Sequence, residues 1–506
     1  MNKVTEPDSM MLSSTSPTLE DLLRRITARR PESLALIDPA DKPRVTGQPP
    51  RKMTYAEADA AISAIATHFI DSGLPTGSVI AVQLPNTIEF SLTVLGAFRA
   101  GLVVTLLPQL WRQAELTMAL NRTGARAIVA MSRIDGVSHA DLAMNAAAEA
   151  FSIRHVFGFG DNLPEGMASL DHVIAHPPSP ALFPATDPRR PAIITFDMTP
   201  EGWRPVPRSH MSLMAAGLAV FLEARLPQAA RILSTIAPAS LAGICCSTVT
   251  WLLSGGTLSL HHALDVDALT AQLARDKCNA LVLPAQIVFK LAESDALQAL
   301  DDAAEIIGVW RTPEQIGASP AWTGSQRLTD LYLFGEAGLF GARRDEDGLP
   351  VPIRAGQHRA PHDVPAATPA CEILMTPQGT LALRGPMVPV AAYAPPPSER
   401  AREAQANLDY VDTGFAARRD RSSGEIRITA PPSGLVNIGG YRFLADDLQQ
   451  WAKRLSQGAM LTALPDRLNG HRLAGRAIDN SRAREALAEL GLNPLMSEAF
   501  RDRGAN

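Results

Sequence analysis

Residues Met53 to Gln109 read MTYAEADAAISAIATHFIDSGLPTGSVIAVQLPNTIEFSLTVLGAFRAGLVVTLLPQ. Two periods alternate in this stretch. Small apolar residues recur at helical spacing from Tyr55 to Ser72, and a second helix reads from Thr87 to Ala100. Beside them stand short apolar runs, Ser78–Leu84 and Leu102–Leu107. Runs of that length separated by helices predict βαβ units and a parallel sheet.

The alternation extends outward. Leu19–Arg29 reads as a helix upstream, and downstream come a helix at Arg112–Arg122 and a strand at Ala127–Ala130. The pattern restarts with a strand at Arg231–Ile236, a helix near Leu241–Leu253, and a strand at Thr257–Leu260 after the Gly255-Gly256 turn. A helix at Asp265–Asp276 and strands at Ala280–Leu283, Ile306–Val309 and Leu331–Phe334 follow. Beyond about residue 345 proline becomes dense and short strand pairs appear, such as Cys371–Met375 with Thr380–Arg384. The polar turn Asp420–Gly424 is expected to hinge a small C-terminal unit.

The expected class is α/β. A large N-terminal domain, residues 1–418, holds two parallel-rich sheets and a small β-barrel-like subdomain at 345–418. A small, shortened α+β C-terminal domain spans residues 419–506. A chain of 506 residues exceeds one ordinary core, which agrees with this division.

Composition excludes some functions. Net charge is −5 and no long basic block occurs, so nucleic-acid binding has no electrostatic footprint. The four cysteines, Cys245, Cys246, Cys278 and Cys371, form no CxxC pair, so buried thiols are expected rather than a zinc site or a disulfide framework. The N-terminus lacks the apolar core of a signal peptide, and Pro238–Leu260 reads as a buried helix, turn and strand rather than a membrane span. A cytoplasmic location is expected. No GxSxG, HExxH, EF-hand or Walker-type motif is present, and His261-His262 has no third ligand nearby in sequence.

The element order, and the Met53–Gln109 stretch residue type by residue type, resemble the adenylate-forming superfamily of acyl-CoA synthetases, luciferases and peptide-synthetase adenylation domains. The resemblance runs from about Leu19 to about Arg472. It implies a chemistry in which ATP activates a carboxylate to an acyl-adenylate, often followed by transfer to a thiol. It also implies the parts: a Gly/Ser/Thr-rich loop on the β- and γ-phosphates, a glutamate helping to hold Mg2+, an aspartate on the ribose, and a C-terminal lysine. Such a loop works by converging backbone N–H groups and hydroxyls on an anion.

Measured against those parts the chain departs. TFDMTPEGWRPVPRSH, Thr195–His210, reads as strand, loop and helix start where the phosphate loop belongs, with Ser209 as N-cap. Thr199, Gly202 and Arg204 are its remaining candidate nucleotide contacts. Arg204 falls on the family's lysine, while Asp197 and Glu201 add negative charge and Pro200, Pro205 and Pro207 offer no N–H. In LYLFGEAGLFGARR, Phe334-Gly335 match the aromatic-glycine pair at the adenine, and Glu336 is the candidate metal ligand. In YVDTGFAARRD, Thr413-Gly414-Phe415 stands where the family has Thr-Gly-Asp, leaving Asp412 and Thr413 as candidate ribose contacts. The hinge motif is replaced by Ala430-Pro431-Pro432-Ser433. Gly439-Gly440 in GLVNIGGYRF matches the loop that lines the family's thiol tunnel. The last lysine, Lys453, precedes the catalytic position, and the tail offers only arginines and His471 there.

Two functional classes follow. One is an acyl-CoA synthetase-like protein with lost or strongly reduced adenylation, no confident catalytic residue, and no cofactor requirement. It binds a small carboxylic acid or acyl thioester, with an acyl carrier or an active homologue as protein partner. The other is an active divergent ligase that uses ATP, Mg2+ and CoA or a carrier's phosphopantetheine, with Arg204, Glu336 and Asp412 replacing lost groups.

Overall fold

The first helix begins where Thr18 caps it. The Thr18 hydroxyl accepts from the Asp21 N–H, and the Asp21 carboxylate accepts from the Thr18 N–H, giving a helix over Leu19–Arg29. Thr54 and Glu57 form the same reciprocal box ahead of the helix Tyr55–Asp71. The computed structural model describes residues 16–179, 181–262, 265–389 and 409–501. Residues 1–15, 390–408 and 502–506 of the expected domains lie outside the described residues.

The architecture is the expected α/β class. One sheet has seven strands, ordered Gly202–Ser209, Pro191–Thr199, Val103–Leu106, Val79–Gln83, Ala127–Met131, His155–Phe159 and Met167–Ser169. All its pairings are parallel except the hairpin at the first edge. A second sheet has eight strands, ordered Gly338–Arg343, Arg327–Phe334, Glu305–Trp310, Ala280–Pro284, Arg231–Ser234, Thr257–Leu260, Leu34–Ile37 and Lys52–Thr54. Only its two outermost strands run antiparallel to their neighbours. Uniformly buried strands such as Val79–Gln83 and Val103–Leu106 are what parallel pairing under helices requires.

The helix Ile88–Arg99 packs on Tyr55–Asp71 and on two strands of the seven-stranded sheet, and every one of its residues is buried. Gly96 permits the close helix crossing, since a Cβ there would lie 2.9 Å from Ile65 Cγ2. Charges buried on this helix are paired. Glu89 receives Lys42 Nζ at 2.6 Å and Arg51 Nη2 at 2.6 Å, and Lys42 also meets Asp38 at 2.7 Å. Arg99 meets Glu20 at 2.6 Å and Asp59 at 2.5 Å.

A third sheet of six strands is wholly antiparallel and fills the place of the expected barrel-like part. Its strand Val411–Arg419 pairs with Glu425–Ala430, so Asp420–Gly424 is a hairpin turn inside that sheet. The C-terminal four-stranded sheet starts only at Leu435, and helices Ala445–Leu455, Asn480–Glu489 and Pro494–Glu498 accompany it. We propose that the domains divide at residues 431–434 rather than at 419. The strand Tyr441–Leu444 of the C-terminal sheet packs on Pro191–Thr199 of the large domain, which places the small domain over the strand ends. Among the described residues, no helix is long and apolar enough to cross a membrane.

Lys42→Met tests the buried charge network. It leaves the Asp38 carboxylate without its cation and Glu89 with only Arg51, and is expected to cost about 3–5 kcal/mol. The check is a lowered urea midpoint at unchanged slope; an unmoved midpoint would show that the network is dispensable.

Candidate functional site

The stretch Thr195–His210 is a β-hairpin followed at once by a helix, not a strand-loop-helix. Pro191–Thr199 and Gly202–Ser209 pair antiparallel along their length, closed by the two-residue turn Pro200-Glu201. Pro205 and Pro207 are tolerated because their strand is the sheet edge, where one row of N–H groups needs no partner. Ser209 does cap the following helix, its hydroxyl accepting from the Ser212 N–H.

A cleft opens at the C-terminal ends of the parallel strands of both large sheets, the usual ligand position in an open α/β fold. It encloses about 920 Å3 of space continuous with solvent. Leu84 and Gln109 come from one sheet; Ser240, Arg311, Gly335 and Glu336 follow strands of the other. Phe196, Asp197, Met198 and Trp203 come from the hairpin, and Asn437 and Gly439–Arg442 from the C-terminal domain.

Asp197 joins three of these parts. Its Oδ2 accepts from the Glu336 N–H at 2.9 Å, and its Oδ1 accepts from Arg442 Nη1 at 2.8 Å. Tyr441, beside Arg442, accepts at its hydroxyl from the Leu110 N–H at 3.1 Å. The Gly439-Gly440 turn is thereby seated in the cleft. Gly335 is required by this packing: its φ is +57°, and a Cβ would lie 2.1 Å from Arg442 Nη1.

Glu336 is engaged on several sides. Its Oε2 accepts from the Leu241 N–H at 2.9 Å, at the start of the helical segment Leu241–Ser254, and Arg208 donates to its carbonyl oxygen. Burial pushes its carboxyl up to about 7, with Asp197 adding to the rise and Arg208 and the Leu241 N–H opposing it.

The other sequence candidates are dispersed. Thr199 and Gly202 close the hairpin tip, the Thr199 hydroxyl donating to the Gly202 carbonyl at 3.0 Å, and Arg204 is exposed on the edge strand. None of the three lines the cleft. Phe334 turns into the core against Phe340 and Phe415. Asp412 lies on the six-stranded sheet, accepting from Thr380 Oγ1 at 2.9 Å and from the Gly414 N–H, while Thr413 donates inward to the Leu381 carbonyl. Gly335, Glu336, Gly439 and Gly440 do meet in the cleft. The sequence reading did not single out Tyr441 and Arg442, which stand directly after the glycine pair that it did. All four cysteines are buried and unbridged, as expected. His262 faces Asp135 at 3.2 Å, and His261 meets Gln272. Among the described residues, no group of three His, Cys, Asp or Glu could hold a metal ion.

The model of the AMP-binding enzyme family matches residues 23–336. This chain belongs to that family. Pseudomonine synthase PmsE of Pseudomonas entomophila is 24% identical over 94% of this chain and 78% of its own length. The salicyl-AMP ligase/salicyl-S-ArCP synthetase of Mycobacterium tuberculosis is 27% identical, over 38% of this chain and 33% of its own length. The medium-chain fatty-acid–CoA ligase of Escherichia coli is 24% identical, over 54% of this chain and 47% of its own length. The match thus spans less than half of each of the latter two relatives. Among solved structures, the amide bond synthetase McbA of Marinactinospora thermotolerans superposes with a TM-score of 0.69 at 17% identity, covering 94% of each chain. MbtA of Mycobacterium smegmatis gives 0.64 at 22% identity, over 95% of this chain and 89% of that one. The fold is that of the adenylate-forming ligases.

The raised Glu336 carboxyl has a measurable consequence. A carboxyl that holds its proton more tightly folded than unfolded stabilises fully below its unfolded pKa. That contribution is lost as pH rises from about 4.5 to about 7. The melting temperature of the parent, relative to Glu336→Gln, is therefore expected to fall across that window. A difference independent of pH would show that Glu336 titrates normally.

Proposed function

We propose that this AMP-binding family member has lost, or strongly reduced, adenylation and retains the cleft as a binding site for a small carboxylic acid or acyl thioester. The observation that carries the reading is Asp197. A carboxylate paired with Arg442 points into the cleft from the strand that should present phosphate donors. Arg442 offsets the charge of Asp197, so what this strand end lacks for a phosphate is donors, because its side chain is an acceptor already given to a guanidinium.

Several further features support it. In the hairpin, the inner row of backbone groups is engaged in strand pairing, and the outward row of the edge strand is laid out along an extended chain and interrupted by Pro205 and Pro207, so the N–H groups do not converge on a shared anion. Glu336 is the one candidate that fits a metal position, and its carboxylate is already given to the Leu241 N–H. Phe415 is buried against Phe334 with the Arg442 guanidinium over its ring, in place of a ribose acceptor. Among the described residues no lysine lines the cleft, and Lys453 is exposed on the helix Ala445–Leu455. ATP and Mg2+, which the family uses, would meet neither a converging phosphate loop nor a free carboxylate here.

The acid-binding half rests on the cleft walls. Leu84, Phe196, Met198, Trp203 and Leu333 supply an apolar lining of the kind small-molecule sites use. Relatives named for salicyl and medium-chain fatty acyl groups are consistent with such a body. The seated Gly439-Gly440 turn keeps a path for the thiol arm of an acyl carrier or CoA, and an active homologue is the alternative protein partner.

The test is carboxylate-dependent exchange of pyrophosphate into ATP across a panel of aromatic and fatty acids. The expected result is no exchange above the protein-free rate. Exchange with any acid at a rate typical of ligases would overturn the reading.

A further inference from the structure

Arg311 follows the strand Glu305–Trp310 at the edge of the cleft. Its neighbours are fixed. Trp310 Nε1 donates to Asp330 Oδ1 at 2.7 Å, and Thr312 Oγ1 accepts from Gln286 Nε2 at 2.9 Å. The Arg311 carbonyl accepts from Asn437 Nδ2 at 3.4 Å. The guanidinium, by contrast, has no hydrogen-bond acceptor and no carboxylate within ion-pair reach among the described residues.

The surroundings make room for this cation and do not neutralise it. Gly440 lies against it: a Cβ there would sit 2.2 Å from Nη1 and 3.0 Å from Cζ. The nearby acids are committed elsewhere, Asp197 to Arg442 and the Glu336 N–H, and Glu336 to the Leu241 N–H. Arg442 adds a second unfilled donor, because its Nη2 is buried without an acceptor. A half-buried guanidinium without a partner is costly unless an anion arrives to use its donors.

We propose that Arg311 is the anchor for an anionic oxyacid head group, carboxylate or phosphate, carried on an apolar body that lies along Leu84, Phe196, Trp203 and Leu333. The proposal rests on the acid-binding half of the proposed function and not on the loss of adenylation. A guanidinium presents two parallel N–H donors, and both oxyacids accept them in bidentate fashion. The apolar residues that share the lining with Arg311 select a molecule with one charged end.

Calorimetric titration of the full chain with benzoate, octanoate, phenyl phosphate and uncharged benzamide tests this. The parent is expected to bind at least one of the three anions more tightly than benzamide. Arg311→Met is expected to weaken that anion by about tenfold or more, as loss of a charged hydrogen-bond pair does, and to leave benzamide unchanged. Arg311→Lys, which keeps charge but not the fork, is expected to fall between them and serves if the methionine variant does not fold. Stronger binding of benzoate or octanoate names a free acid as the source, and stronger binding of phenyl phosphate names a phosphorylated carrier arm. Equal anion affinity in the parent and both variants, or no anion binding by the parent, would overturn the assignment. Pyrophosphate exchange in the same protein would overturn only the loss of adenylation.

Discussion

The Asp197 carboxylate holds the cleft together. One oxygen takes the Glu336 N–H, just past the strand Arg327–Phe334 of the eight-stranded sheet, and the other takes a guanidinium from the C-terminal domain. Asp197 itself belongs to the seven-stranded sheet, so two sheets and the C-terminal domain meet on one side chain. The pair is about nine-tenths shielded from solvent on both partners, with side-chain exposure of 12% for Asp197 and 13% for Arg442. Breaking it would leave a nearly buried charge alone, which makes the seated position of the C-terminal hairpin self-reinforcing.

In the proposed reading, the strand end that would face a nucleotide is instead given to a contact with the C-terminal domain. A cradle needs N–H groups that converge on one point. Here the hairpin lays its backbone out in extended rows, and its carboxylate takes Arg442. What remains is a cleft with apolar walls, a seated glycine turn, and one cation without a counter-ion. On the proposed reading such a cleft holds an acid and does not activate it, because transition-state charge would have too few donors aimed at it.

Much of the scaffold was legible in the sequence. Leu19–Arg29, the helix from Tyr55 and the buried strands followed from the period of their apolar residues, which acts locally. The hairpin was not. Three prolines in ten residues argue against a strand, and only the knowledge that Gly202–Ser209 is a sheet edge removes the objection. The turn at Asp420–Gly424 was found as a turn, but its sequence could not say that the next strand rejoins the same sheet. Of the site, Gly335, Glu336, Gly439 and Gly440 were read by motif and meet in the cleft, whereas Thr413, also read by motif, and Asp412, taken as its neighbour, lie on the six-stranded sheet. Arg311 carries no motif. Its meaning depends on what fails to reach it, which only the three-dimensional arrangement reveals.

The central claim is that no polyphosphate site survives in this cleft. Titration of the protein with Mg·ATP by calorimetry tests it most directly. The account predicts no saturable heat at micromolar nucleotide. Saturable micromolar binding, lost on Glu336→Gln, would contradict it and return Glu336 to the metal.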